Sequence, residues 1–177
     1  AVSVIYLWLP LDYPHRIRFW EANMPAVYCY RHMIDETDVD SDGYPSCLTY
    51  LSWTQSAAQA HSAEQGWGTQ KYHALGSAWV VRSHHIQYFS TATVGESISI
   101  DTWVSNFNKT RCLRKYLIRQ SDDDRLLVTA ETVWTFIDFS ARRPRRIPKE
   151  IIDAFTLVPE CDEPRPKNSE LKQLETK

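Results

Sequence analysis

Glycine is scarce in this chain: five residues in 177, with Gly43 alone before residue 65. That scarcity argues against a glycine-rich phosphate cradle, and no Walker or dinucleotide-binding fingerprint is present. The four cysteines, Cys29, Cys47, Cys112 and Cys161, lie far apart with no C-x-x-C pair. Such spacing fits neither a zinc site nor a disulfide framework, so a reduced, cytoplasmic compartment is the default expectation. Strong charge of one sign is missing too: the formal net charge is -2. Neither a nucleic-acid partner nor an anionic membrane surface is therefore indicated. The apolar opening Ala1–Leu11 is shorter than the roughly 20 residues that a bilayer span requires. It also has no basic n-region or small-residue cleavage site. Residues 1–24 are expected to be an N-terminal extension, packed as an extra strand or covering an oligomer surface, with Met24 as an alternative start.

What is present suits one compact domain. Hydrophobic residues make up 43% and aromatic residues 12% of the chain, enough for a sizeable core. Ala26–Ile34 is rich in β-formers and unbroken, which predicts a strand. Pro45-Ser46 opens a helix with Ser46 as N-cap. Cys47, Tyr50, Leu51, Ala57 and Ala58 fall on one stripe at helical spacing. The helix should run over residues 46–65, about 30 Å at 1.5 Å per residue, and Gly66-Trp67-Gly68 should end it. Four β-rich runs follow, at 77–89, 96–107, 111–120 and 125–139. Polar turns of hairpin length join the last three. This order predicts an α+β domain with one antiparallel sheet and one central helix. No internal repeat is visible. From Pro159 the chain is charged and proline-bearing, and residues 159–177 are expected to form a mobile tail.

Between the first strand and the helix lies Asp38-Val39-Asp40-Ser41-Asp42-Gly43. As a calcium loop, its acids would be ligands. Counting from Asp38, however, the twelfth residue is Thr49, which supplies no bidentate carboxylate, and the incoming segment reads as strand. A solvated acidic turn is the bland alternative. A third reading is catalytic. An acid beside a helix N-terminus sits near unpaired backbone N–H groups that would polarise a thioester carbonyl. It would then attack that carbonyl or activate a water, with no metal or cofactor.

The pattern D-x-D-x-x-G followed by Y-x-x-W, here Asp38 to Gly43 then Tyr50 to Trp53, resembles hot-dog-fold acyl-CoA thioesterases of the 4-hydroxybenzoyl-CoA thioesterase type. Arg82–Tyr88, Val94-Gly95-Glu96, Trp134 and Arg143–Pro148 add to it, over about residues 26 to 155. The resemblance implies a hot-dog domain at 25–158, with a sheet of five or more antiparallel strands around one long helix. It implies Asp40 as catalytic nucleophile or base and the Cys47 backbone N–H as carbonyl donor, the thiol itself being incidental and buried. Gly43, Tyr44, Tyr50 and Trp53 would border the substrate, an acyl-CoA or acyl-carrier-protein thioester. Arg145 and Arg146, in the run Arg142-Arg143-Pro144-Arg145-Arg146, would meet its phosphates or an acidic carrier protein, with Lys109, Arg111 and Arg114 as secondary candidates. A homodimer or homotetramer is implied as well. Gln55 and Gln59 stand where many members carry a helix glutamate, which favours the turn aspartate. A non-catalytic acyl-thioester-binding or scaffold protein of the same fold is the alternative. A dehydratase is disfavoured, because no histidine paired with an acid is evident in the sequence. His84 and His85 are adjacent on a strand, hence on opposite faces, and would not share a metal.

Overall fold

The computed structural model describes residues 26–172. The predicted extension at 1–24 and the last residues of the tail, 173–177, lie outside the described residues. Strand β1 (Tyr28–Met33) leads through the acidic turn into α1 (Cys47–Glu64). The short α2 (Thr69–Ala74) precedes β2 (Ser77–Tyr88), β3 (Ser97–Asn108), β4 (Arg111–Gln120) and β5 (Leu126–Asp138). A two-residue β6 (Arg143–Pro144) and the short helices α3 (Lys149–Asp153) and α4 (Asn168–Lys172) follow. The described strands form one sheet in the order β1-β3-β4-β5-β2, with β6 on β5, and every pairing is antiparallel.

The long elements fall where the sequence places them, to within a residue or two. Ser46 caps α1, its Oγ accepting from Thr49 N–H at 3.2 Å. At the other end the chain turns through Gly66 at φ +76°, a left-handed value that suits glycine. The buried face of α1 is Tyr50, Trp53, Thr54, Ala57, Ala58 and His61. It packs on Ile98, Ile100, Tyr116, Ile118, Val128 and Ala130. Ala57, fully buried, lets the helix lie close to the strands. Each buried aromatic removes roughly 150–250 Å² from water, a gain of about 4–6 kcal/mol before ordering costs. Register shifts at Val81/Ser83, Val104/Asn106 and Ile118/Arg119 mark bulges, which sharpen the twist and curl the sheet around α1.

Two expectations are corrected. Cys47 is exposed, not a small buried helix residue, because it occupies the first helical position beside the turn. The segment after Pro159, expected as a mobile tail, contains a 3₁₀ turn at Glu160–Asp162 and α4. It is tied to the sheet: Glu163 accepts from Ser105 Oγ and Lys115 Nζ, both at 2.7 Å, and Glu170 meets Arg119 at 2.8 Å. Val158 joins Ala26, Trp103, Leu117 and Leu126 on the sheet face away from α1.

Candidate active site

The acidic turn is built by its own aspartates. Val39 and Pro45 form an antiparallel bridge, which sets Asp40 across from Tyr44. The Asp40 N–H donates to Tyr44 O at 3.0 Å, and the Gly43 N–H returns to Asp40 O at 3.0 Å. Gly43 has φ +81°, a conformation that costs an L residue about 1–2 kcal/mol. Asp40 Oδ1 accepts the N–H groups of Asp42 at 3.0 Å and Tyr44 at 3.3 Å. Both turn donors therefore go to one oxygen, while the side chain stays exposed.

One residue before the bridge, Asp38 does something else. Its Oδ2 accepts from His32 Nε2 at 2.7 Å and from Asp35 N–H at 3.1 Å, and its Oδ1 from Trp53 Nε1 at 3.3 Å. The His32 ring lies 5.2 Å from that of Trp53. Asp38 thus clasps β1, the turn and α1 together. No histidine–acid pair is evident in the sequence; the structure supplies one in His32 and Asp38. The pair joins a strand residue to a turn residue six positions later, and no linear motif marks it. Asp35, fully exposed, is held below the ordinary carboxylate range, chiefly by the hydroxyl and N–H of Thr37.

The helix start faces the same turn. Thr49 N–H is taken by Ser46, whereas the N–H groups of Cys47 and Leu48, the first two of the helix, have no acceptor among the described residues. The helix dipole adds partial positive charge there. Tyr88, at the end of β2, donates to the Cys47 carbonyl at 3.4 Å, and its ring lies 5.8 Å from Tyr50. Burial raises the Tyr88 phenol above its ordinary pKa, with smaller contributions from Cys47 and Tyr50. Tyr50 is buried with its hydroxyl unpartnered among the described residues. Trp53 is 4% exposed, so it positions Asp38 rather than walling an open cleft. Tyr44 is exposed beside the turn.

The basic residues lie elsewhere. Arg145 Nη1 donates to Leu75 O at 3.2 Å and Ser77 Oγ at 2.9 Å, with Asp138 at 4.0 Å. Arg146 follows it, exposed. Ser77 begins β2 and Tyr88 ends it. The 12-residue strand sets the arginine end apart from the turn end by roughly 36 Å, eleven steps at ~3.3 Å per residue. Within one chain, Arg145 and Arg146 are not brought to Asp40, and Arg145 already serves the α2–β2 junction. Arg114, read as a surface candidate, is buried. His84 Nδ1 meets Thr132 Oγ1 at 2.8 Å, and His85 is exposed.

An antiparallel sheet curled around one long helix, with an acidic turn feeding the helix N-terminus, defines a hot-dog domain of the thioesterase kind. A crystal structure of a 1,4-dihydroxy-2-naphthoyl-CoA thioesterase from Synechocystis superposes with TM-score 0.68 at 19% identity, over 72% of this chain and 94% of that one. An acyl-ACP thioesterase from Bacteroides thetaiotaomicron superposes with TM-score 0.68 at 20% identity, over 84% of this chain and 59% of that one. Residues 25–155 match the family model for the acyl-ACP thioesterase N-terminal domain, and the chain belongs to that family. The chloroplastic palmitoyl-acyl carrier protein thioesterase of Gossypium hirsutum is 26% identical over 131 residues, 71% of this chain. The chain spans about a third of that relative's length, 32%. Among the described residues, no helix is long and apolar enough to cross a membrane.

Proposed function

We propose that this domain hydrolyses an acyl thioester at the junction of the acidic turn and α1. The thioester carbonyl sits at the helix N-terminus, where the Cys47 and Leu48 N–H groups polarise it. The Asp40 carboxylate attacks the carbonyl or draws a proton from water through Oδ2, the oxygen not used by the turn. Gly43 gives the chain its bend, Tyr44 and Tyr50 border the substrate, and Trp53 holds Asp38. The observation that carries this reading is the joint placement of an exposed carboxylate and open helix N–H groups on one short turn. Family membership favours an acyl-carrier-protein thioester, with acyl-CoA as the chemically equivalent substrate. The domain is taken as residues 25–158 and the compartment as cytosolic, in keeping with cysteines whose spacing fits no disulfide framework.

A homodimer or homotetramer belongs to the same proposal. The β2 edge exposes Val80 and Val81, and a long edge strand invites pairing with a second copy. Pairing would also offer a route for a partner's Arg145 and Arg146 to approach the turn. Hydrolysis assigned to Asp40 competes with one specific alternative, in which His32 is the base and Asp38 orients it. The 2.7 Å His32–Asp38 contact supports that alternative.

The test is thiol release from acyl-carrier-protein and acyl-CoA panels by wild type, Asp40→Asn, Asp38→Asn and His32→Gln. An asparagine at 40 keeps an Oδ1 acceptor for the Asp42 and Tyr44 N–H groups, so the turn should persist. Asp40→Asn should lose about 10²–10⁴ in kcat with unchanged unfolding. Equal rates for Asp40→Asn and wild type would remove Asp40 from the mechanism, and loss confined to His32→Gln would move the chemistry to the histidine. Ligand binding without turnover by the wild type would leave a non-catalytic acyl-thioester binder.

A further inference from the structure

A cavity of about 250 Å³ lies between the C-terminal half of α1, α2 and the sheet. Its walls are largely aromatic, from Trp67, Tyr72, Trp79, Phe107, Trp134 and Phe155. It is remote from the acidic turn. His61, which packs beside it, is fourteen residues beyond Cys47 on the same helix, roughly 21 Å at 1.5 Å per residue.

Arg114 also lines this cavity and is 5% exposed. It is the one permanently charged side chain among the lining residues. Its Nη1 donates to His61 Nδ1 at 2.9 Å and to Thr102 Oγ1 at 3.2 Å. A guanidinium only donates, so that imidazole nitrogen carries the lone pair and His61 is neutral. The other neighbours are neutral as well. Burial, with a smaller push from Arg114, takes His61 down to about 3. Burial lifts the Cys112 thiol to about 11 against the pull of Arg114. Phe155 lies 5.8 Å from the guanidinium carbon. Among the described residues, no carboxylate pairs with Arg114, and neither its Nη2 nor its Nε has an acceptor. A buried cation without a counter-charge is costly, and the free side of the fork is the side that grips a planar carboxylate through two N–H groups.

We propose that this cavity binds a carboxylate borne on an apolar body, with Arg114 as its counter-ion and the aromatic walls enclosing the body. An apolar cavity of about 150 Å³ accommodates benzene, so the volume here admits a phenyl ring or short alkyl chain together with the acid group. The carboxylate has two sources, a free organic acid or the distal end of a dicarboxylic acyl group. The first is independent of hydrolysis, and the second rests on the thioesterase reading.

The experiment measures binding to the full chain by calorimetry and thermal shift, using phenylacetate and hexanoate against phenylacetamide and hexanamide. The acids should bind, and the amides at least about tenfold more weakly, since a hydrogen bond to a charged group is at stake. Arg114→Met should lose the difference and Arg114→Lys retain part of it. Absence of acid binding, or equal binding of acid and amide, would overturn the proposal, and that comparison uses the wild type even if Arg114→Met does not fold. A second arm compares hydrolysis of hexadecanedioyl-CoA and palmitoyl-CoA, whose sixteen-carbon chains are long enough to run from the start of α1 to the level of Arg114. A preference for the diacid chain abolished in Arg114→Met assigns the carboxylate to the acyl group, whereas acid binding without that preference assigns it to a free acid. If no thioester is turned over, the hydrolase reading fails while the acid–amide comparison still decides this one.

Discussion

His61 should make this fold acid-sensitive by an amount the structure specifies. The side chain is 4% exposed, stacked on Tyr28 at 5.3 Å and edge-on to Phe155 at 5.4 Å. Burial first, and the Arg114 charge second, lower its pKa from 6.5 to about 3. The folded value lies below the unfolded one, so the unfolded chain takes up the proton first. The stability carried by the neutral ring is fully present above about pH 6.5 and drains away as pH falls toward 3. At pH 5 the unfolded imidazole is almost wholly protonated and the folded one almost wholly neutral. The gap of about 1.5 units between pH 5 and the unfolded pKa corresponds to about 2 kcal/mol. The perturbation is His61→Gln, whose amide oxygen still accepts from Arg114 but does not titrate. Urea unfolding at pH 7.5, 6 and 5 should show the wild type losing about 2 kcal/mol more than the variant across that range. The offset between the two proteins at pH 7.5 reports packing and does not enter the comparison. Parallel stability curves would refute the reasoning, because they would mean that His61 is protonated in the fold or is not buried against Arg114.

Other outcomes follow from local geometry. Ser46→Ala removes the Oγ acceptor for Thr49 N–H and should cost about 0.5–2 kcal/mol by chemical denaturation. Ala57→Leu inserts volume at a fully buried helix–sheet contact and should cost about 1–3 kcal/mol, read by the same assay. Glu163→Gln removes the charge that meets Lys115. Burial opposes ionisation of Glu163, but the hydrogen bonds from Lys115 and Ser105 outweigh it and hold its pKa low. The variant should expose the 160–172 segment to limited proteolysis at neutral pH, and the wild type should do so only as pH falls through the Glu163 titration.

The elements legible in the sequence were those whose patterns are local. The run 111–120 was read with the observed bounds because short polar turns bracket it, and Ser46 announced the helix because capping involves neighbours. The short α2, with Tyr72 as its buried residue, carries too little periodicity to stand out; packing on Trp67 and Phe136 secures it. The turn itself was legible, but not the division of labour among its acids. Asp38 turns inward because His32 and Trp53 converge on it from two elements, and such convergence is a property of the folded chain. Arg114 was misread although a signal existed. Strand alternation puts it on the same face as Cys112, Tyr116 and Ile118, all three buried, and a charge in that row should have been read as interior.

The sheet order also bears on how the chain assembles. The strands made first, β1 and β2, end as the two outer neighbours of the β3-β4-β5 meander. Tyr28 waits for Thr102, and Ser77 for Asp138, whereas the meander closes through short hairpins. Closing long loops costs entropy that the meander does not face. Contact order alone makes the β3-β4-β5 meander the expected first part of the sheet to pair, and during synthesis α1 and β1 emerge before the surface that buries them exists. Until β3 to β5 are complete, Tyr50 and Trp53 lack the strand face that buries them, and exposed apolar surface of that kind favours aggregation.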